Sequence, residues 1–251
     1  MAVRDLVTLA NVRSYLSLKP NATQDDALLR IFISAVSEQA LTMLGHEFEV
    51  KQRTEQIDAL PGKTQYVLKA APVHEVSSVK SDFDRLFPST SVVAAEEYDA
   101  ETKRRFGILT FDCPLLSPGR GALQVVYVGG YAFDRDLYIA RQDDPPGSPS
   151  SGDIYLVGAT PTGAWVGKAN NVATYNGSTW IFKTAFEQAQ ESRPQISFAV
   201  LQQVAFLYRT KDYQGTNQNS HKQGSLQVNQ APWVASAKAC LEAERRMLVE
   251  D

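Results

Sequence analysis

The sequence predicts an α+β fold: helices from both chain ends packed with a central antiparallel β region, plus a small β-rich insert. Three observations predict it. Apolar residues recur every three or four positions near both ends, and they alternate through the middle. Beyond a Pro/Gly/Ser-rich stretch the composition turns aromatic and sparsely charged. The domain boundaries that follow are one domain from residues 1–135 and 191–251, interrupted by a subdomain at 136–190.

The elements read as follows. Residues 8–17 form a short helix, with Thr8 as its cap and Leu9, Val12 and Leu16 on one face. Pro20-Asn21 breaks the chain. A longer helix then starts at Thr23, with Asp25 and Asp26 where the positive end of the helix dipole favours carboxylates. Leu28, Phe32, Val36, Ala40 and Met43, widened by Leu29, Ile33 and Leu44, make its apolar stripe, and Gly45 ends it. From about 47 to 130 the period falls to two. Phe48 and Val50 begin an alternating stretch, and β-prone runs follow at 66–68, 73–79, 108–111 and 123–128. Pro61-Gly62, Pro72, Pro88 and Pro118-Gly119 separate these runs, and Gly129-Gly130 ends the last.

Residues 141–152 read as a linker too polar and broken to pack. In the insert beyond it, Asn176-Gly177 between Ala173-Thr-Tyr175 and Ser178-Thr-Trp-Ile-Phe182 signals a tight hairpin. Helical period returns at Pro194, a good first helical residue, with Ile196, Ala199, Val200, Val204, Leu207 and Tyr208 as the stripe. A polar stretch at 214–230 reads as a mobile loop. A last helix spans about 232–249, with Val234, Ala237, Leu241 and Leu248 on one side. It either folds back on its own core or docks elsewhere.

The chain has 251 residues, 43% of them hydrophobic, and a net charge of −3. That length supports a core without staples, and the acidic balance argues against a protein whose work is gripping phosphate backbone. Cys113 and Cys240 stand in no metal or redox spacing, so no disulfide framework or zinc knuckle is expected. No stretch reads as a membrane span, and residues 1–10 lack a signal-peptide pattern, so the expected site of synthesis and residence is the cytoplasm.

Catalytic, cofactor and metal motifs are not found. Gly158-Ala-Thr-Pro-Thr-Gly163 has a phosphate-loop spacing, but Ala164-Trp165 replaces the lysine and hydroxyl that would hold phosphate and magnesium. His46, His74 and His221 are isolated from one another, and Cys113 has no base nearby in sequence. Glu96-Glu97 and Asp99 offer paired carboxylates, as any acidic loop does. Lys103-Arg104-Arg105 is either a solvated turn or a contact for passing DNA. Tyr155, Trp165, Tyr175 and Trp180 either fill the insert's own core or present a stacking surface to a sugar or a protein partner.

The order of these motifs is specific. Leu6-Val-Thr-Leu-Ala-Asn-Val-Arg-Ser-Tyr-Leu16, followed by Asp25-Asp-Ala-Leu-Leu29 opening a helix that ends Leu44-Gly45, resembles the head–tail connector (adaptor, or head-completion) family of tailed bacteriophages. Ala71-Pro-Val-His-Glu-Val-Ser-Ser-Val79, Tyr98 with Gly107-Ile-Leu-Thr-Phe111, Val125-Val-Tyr-Val-Gly-Gly-Tyr131 and Pro194-Gln-Ile with Ala199-Val-Leu-Gln-Gln-Val continue it. The resemblance covers roughly residues 5–133 and 192–213. Between Tyr131 and Pro194 the chain departs from that family. Asp153-Ile-Tyr-Leu-Val-Gly, Gly163-Ala-Trp165 and Tyr175-Asn-Gly-Ser-Thr-Trp180 are similar instead to a small phage-associated module of unsettled function.

The resemblance implies a structural virion protein rather than an enzyme, made in the host cytoplasm and located in the neck. It implies a homo-oligomeric ring, a dodecamer, below the portal protein, with the insert projecting outward. The ring extends the DNA channel, lets double-stranded DNA pass without specific binding, and docks a stopper or tail-completion protein. It also implies portal docking by the last helix through Trp233, Leu241 and Leu248, with Lys103, Arg104 and Arg105 as possible channel-lining residues. The alternative function is a carbohydrate- or receptor-binding module carried by the insert. Neither reading calls for a cofactor, a metal or a membrane.

Overall fold

The computed structural model describes residues 4–19, 21–45, 47–100, 104–115, 118–211 and 233–245. The chain divides into two compact units, one of residues 1–45 with 189–251 and one of residues 46–188.

The first unit is helical. Helix α1 (Leu9–Tyr15) is capped as expected, the Thr8 hydroxyl accepting from the Asn11 amide at 3.1 Å. Helix α2 (Asp26–Leu44) begins three residues later than Thr23 predicts. The reason is tertiary: Thr23 forms a turn with Asp26, and the carboxylate of the cap residue Asp25 is taken by Tyr208 and Lys211 at 2.6 and 2.9 Å. Gly45 closes the helix in the left-handed region.

Contrary to the sequence reading, α2 is long and apolar enough to cross a membrane by length and composition. Its stripe of Leu29, Ile33, Val36, Ala40 and Leu44 is nonetheless buried in the helical core. Helix α4 (Pro194–Arg209) starts on its proline and packs against α1, α2 and α5 (Ala235–Ala243). Asp5 and Leu6 are tied to α2 through Ser34 and Ser37. Buried Gln203 accepts from the Val234 amide at 2.8 Å, satisfying the start of α5 from a neighbouring helix.

The second unit holds three sheets. In the first, β6 (Gly119–Gly129) lies between β1 (Lys51–Ala59) and β3 (Val73–Ser81), all antiparallel. In the second, β5 (Ile108–Phe111) lies between β2 (Gln65–Val67) and β4 (Tyr98–Asp99). Tyr66, Leu68, Val79, Leu109, Phe111, Leu123, Val125 and Tyr127 form their common core. The Tyr127 hydroxyl accepts from the buried Ala70 amide at 3.0 Å and donates to Glu55 at 2.9 Å. Gly129-Gly130 does more than end a strand. A Cβ on Gly130 would meet the Glu49 carbonyl at 2.4 Å, and one on Gly129 the Ala70 carbonyl at 2.4 Å, so only glycine lets these segments cross.

The third sheet runs β10 (Trp180–Lys183), β9 (Val172–Tyr175), β8 (Ile154–Val157), β7 (Arg141–Gln142). Strand β7 falls in the stretch expected to be an unpacked linker. Its backbone pairs in parallel with Leu156 and Val157, and Gly158 donates to Gln142 at 2.8 Å, so polar side chains did not prevent ordering through the main chain. The hairpin is present, but its turn is wider than the Asn-Gly pair suggests. Tyr175 pairs with Trp180, and the Asn176 side-chain oxygen accepts from the Ser178 and Thr179 amides. Helix α3 (Ala185–Ser192) was not expected. Thr184 and Glu187 form a reciprocal capping box at its start.

Candidate functional site

Three features of the sheet unit bear on function: a cleft, an ordered loop tip and an aromatic cluster. The first is a cleft of about 650 Å³ beside the start of β3, lined by Glu75, Val76, Tyr98, Asp99, Arg135 and Asp136 among others. Its floor is fixed by His74, which is buried. Nε2 donates to the Gly130 carbonyl and Nδ1 accepts from the Tyr138 hydroxyl, both at 3.2 Å, a tautomer assigned from this network. The Arg135 guanidinium lies 4.6 Å over the Tyr138 ring and donates to the Tyr138 carbonyl. Burial pushes the Tyr138 phenol up to about 12, against the pull of Arg135. Burial also raises the Tyr98 phenol, with Glu96 adding to it. The cleft therefore offers carboxylates and half-buried apolar walls, with its histidine held in the floor.

The second feature is the loop after β3, where the sequence alone marks no more than the separator Pro88. Asp82 organises it: one carboxylate accepts from the amides of Asp84, Leu86 and Phe87 at 3.2, 2.9 and 2.8 Å. Lys80 donates to the Phe87 carbonyl, and the Asp82 amide is fixed to the Ala122 carbonyl. Arg85 and Phe87 take φ values of 59° and 48°, a conformation side chains rarely adopt. The outcome is a rigid tip that holds Phe83 and Leu86 67% and 80% exposed, with Arg85 exposed between them. The available signal in the sequence is Asp82 itself, a residue whose side chain readily accepts from nearby amides, directly after a β-prone run.

The third is the insert's aromatic cluster. Trp165 and Trp180 meet edge-to-face at 5.1 Å, Tyr155 stands about 6 Å from both, and Tyr175 is 5.0 Å from Trp180. Trp165 is fully buried, and its indole N–H has no acceptor.

Two families match the sequence. The one described as "Head completion protein" matches residues 5–142, more than half of the chain. The chain belongs to the head completion protein family. It is accordingly a structural protein of the phage virion neck. The second, described as "Protein of unknown function (DUF2793)", matches residues 136–188. No curated protein matches. Among solved structures, a chain in "Neck of empty GTA particle computed with C6 symmetry" is similar at 12% identity and TM-score 0.45, covering 98% of this chain and 92% of that one. One in "Virion of native gene transfer agent (GTA) particle" has 12% identity and TM-score 0.43, with the same coverage of 98% and 92%. One in "Neck of native GTA particle computed with C12 symmetry" has 13% identity and TM-score 0.44, covering 96% and 90%.

Several residues singled out in this head completion protein sit elsewhere than a contact surface. Trp165 and Tyr155 are buried and Trp180 and Tyr175 half-buried, so the aromatic set is mainly the core of the third sheet and not an open stacking platform. A module this small fills its interior with few, large rings. Trp233 and Leu241 are likewise core residues of the helical unit, because α5 folds onto α4 and α2. They cannot anchor a portal while the helix is docked. Leu248 lies outside the described residues, as do Lys103, His46 and His221. Arg104 begins a 3-10 turn that ends at Phe106, and Arg105 is exposed. Nor is the glycine run at 158–163 open to phosphate. The chain's own Asp143 carboxylate accepts from the Thr160 amide and hydroxyl, both at 2.9 Å. Among the described residues, no group of three or more His, Cys, Asp or Glu side chains could hold a metal ion.

Proposed function

We propose that this head completion protein acts as an adaptor: copies of it form a ring below the portal, extend the DNA channel, and receive a stopper or tail-completion protein on the other side. The observation that carries the reading is the match of residues 5–142 to the head completion family, which takes in α1, α2 and the first two sheets. The acidic chain suits the role, since a conduit through which DNA slides should make few phosphate contacts. In this reading Arg104, Arg105 and Lys103 line the channel sparsely. Portal contact passes to the segment beyond α5, with Leu248 as its anchor, since Trp233 and Leu241 serve the core. Residues 136–190 form an added module.

A ring of heterologous contacts closes only when the rotation between subunits divides a full turn, and the portal supplies that template. The test is co-assembly. Purified chain mixed with portal protein should elute as one large species in size-exclusion chromatography and give ring-shaped images. Separate elution at micromolar concentrations of both, with particle images lacking the chain at the neck, overturns the reading.

A further inference from the structure

The turn that joins β9 to β10 carries the one Asn-Gly pair of the chain, Asn176-Gly177. A carboxamide followed by a backbone amide is a latent electrophile and nucleophile, because the nitrogen of the next residue can attack Cγ and close a five-membered imide. The reaction is held back where a side chain shields that nitrogen or a hydrogen bond occupies it. It is also slow where nothing receives the negative charge that forms on the carboxamide oxygen.

None of these restraints operates at this turn. Gly177 has no Cβ, and its φ of 93° is one that other residues rarely adopt. Asn176 and Gly177 are both exposed. The turn is closed by the Asn176 amide, which donates to the Thr179 carbonyl at 3.1 Å, while the Gly177 amide donates to no group among the described residues. Asn176 Oδ1 accepts from the Ser178 and Thr179 amides at 3.0 and 2.8 Å, and from the Thr179 hydroxyl at 3.4 Å. Those donors already point to the atom on which charge develops when Cγ becomes tetrahedral, as in the oxyanion sites of acyl transfer. They also turn the carboxamide towards the chain beyond Gly177, so that less freedom is lost on ring closure.

We propose that Asn176 is a site of spontaneous modification in the folded chain, converting to aspartate and isoaspartate through a cyclic imide with Gly177. The Gly177 nitrogen gives its proton to solvent hydroxide and forms a bond to Asn176 Cγ. The Cγ–Nδ2 bond breaks, and Nδ2 leaves as ammonia with a proton taken from water. Water then opens the imide: attack at Cγ gives aspartate, and attack at the main-chain carbonyl gives isoaspartate. Nothing is oxidised or reduced.

The products differ in what the hairpin keeps. Aspartate retains the acceptor used by Ser178 and Thr179, with a charge that strengthens both bonds. Isoaspartate routes the main chain through Cβ and lengthens the turn between Tyr175 and Trp180, which pair across the hairpin with rings 5.0 Å apart. The change is one-way and sits at the end of the aromatic cluster. It does not depend on the ring reading above.

The test is a timed incubation of the full chain at mildly alkaline pH in water enriched in heavy oxygen, once folded and once unfolded in urea. Tryptic cleavage after Lys168 and Lys183 places Asn176 on one peptide with Asn170 and Asn171, which serve as internal controls. Heavy oxygen should enter at residue 176, part of it as isoaspartate by fragment ions, at a folded rate within about tenfold of the unfolded one. Gly177→Ala should slow conversion about tenfold or more in both states, because its methyl group shields the nitrogen whether or not the turn is kept. A folded chain that stays unlabelled while the unfolded chain converts would show that the turn protects the pair, and overturns the proposal. Labelling of Asn170 or Asn171 as fast as Asn176 overturns it too.

Discussion

Two sheets of the same unit solve the problem of a core differently. The sheet of β1, β6 and β3 shares its interior with a second sheet, and mixes aliphatic residues with Tyr66 and Tyr127. The Tyr127 hydroxyl both accepts and donates a hydrogen bond, so this buried polar group is satisfied. The sheet of β7 to β10 has only its own few residues. It packs Trp165 against Tyr155 and Trp180 and leaves the Trp165 indole N–H buried without an acceptor. An unmet donor of that kind costs about 1–3 kcal/mol. The difference teaches that a small module secures its apolar area with a few large rings, whereas the larger core spreads it over aliphatic side chains and tyrosines; buried polar atoms without a partner occur in both, Trp165 Nε1 in one and Arg53 Nε and Ser81 Oγ in the other.

Four experiments break or sharpen this contrast. The largest effect is expected from Trp165→Ala, which should cost about 3–5 kcal/mol. Hydrogen exchange should then collapse across β8, β9 and β10 while β1, β3 and β6 keep their protection. Simultaneous loss in both sheets would mean that the two cores are one cooperative unit. Next is Tyr127→Phe, expected to destabilise by about 1–3 kcal/mol because the buried Ala70 amide loses its acceptor. Urea unfolding reads it, and an unchanged midpoint would show that the larger core does not depend on that bond.

Thr184→Ala removes the cap of α3, where the third sheet hands the chain to the helices, and should cost about 1 kcal/mol in the same assay. The smallest effect is on pH dependence. The Tyr138 phenol is raised from 10.0 to about 12 in the folded chain. Its contribution is therefore complete below the unfolded value and lost as pH rises from 10 towards 12. Tyr138→Phe should flatten the stability profile across that interval, and an identical slope in the variant would assign the loss to other groups.

How legible each part was depends on whether its cause is local. The α2 stripe, its Gly45 terminus, the start of α4 on Pro194 and the short strands at 108–111 and 73–81 follow from periods of 3.6 and 2 and from backbone preferences that neighbours carry with them. The capping box of Thr184 and Glu187 is equally local, a Thr-x-x-Glu pattern present in the sequence.

The remaining features were set by residues distant in sequence. Asp25 fails to cap α2 because Tyr208, far along the chain, binds its carboxylate. The polar stretch at 141–142 became a strand because β8 offered it an edge. Trp165, Trp233 and Leu241 are legible in sequence as large apolar side chains that either fill a core or meet a partner, and packing puts them inside. The sequence by itself determined which segments are helical or extended and which family the motif order resembles, because those depend on short-range periodicity and covalent preference. Only the tertiary structure decided which apolar groups face water, since burial is a property of what the rest of the chain places beside them. Phe83 and Leu86 at the tip of an Asp82-bound loop are the clearest case.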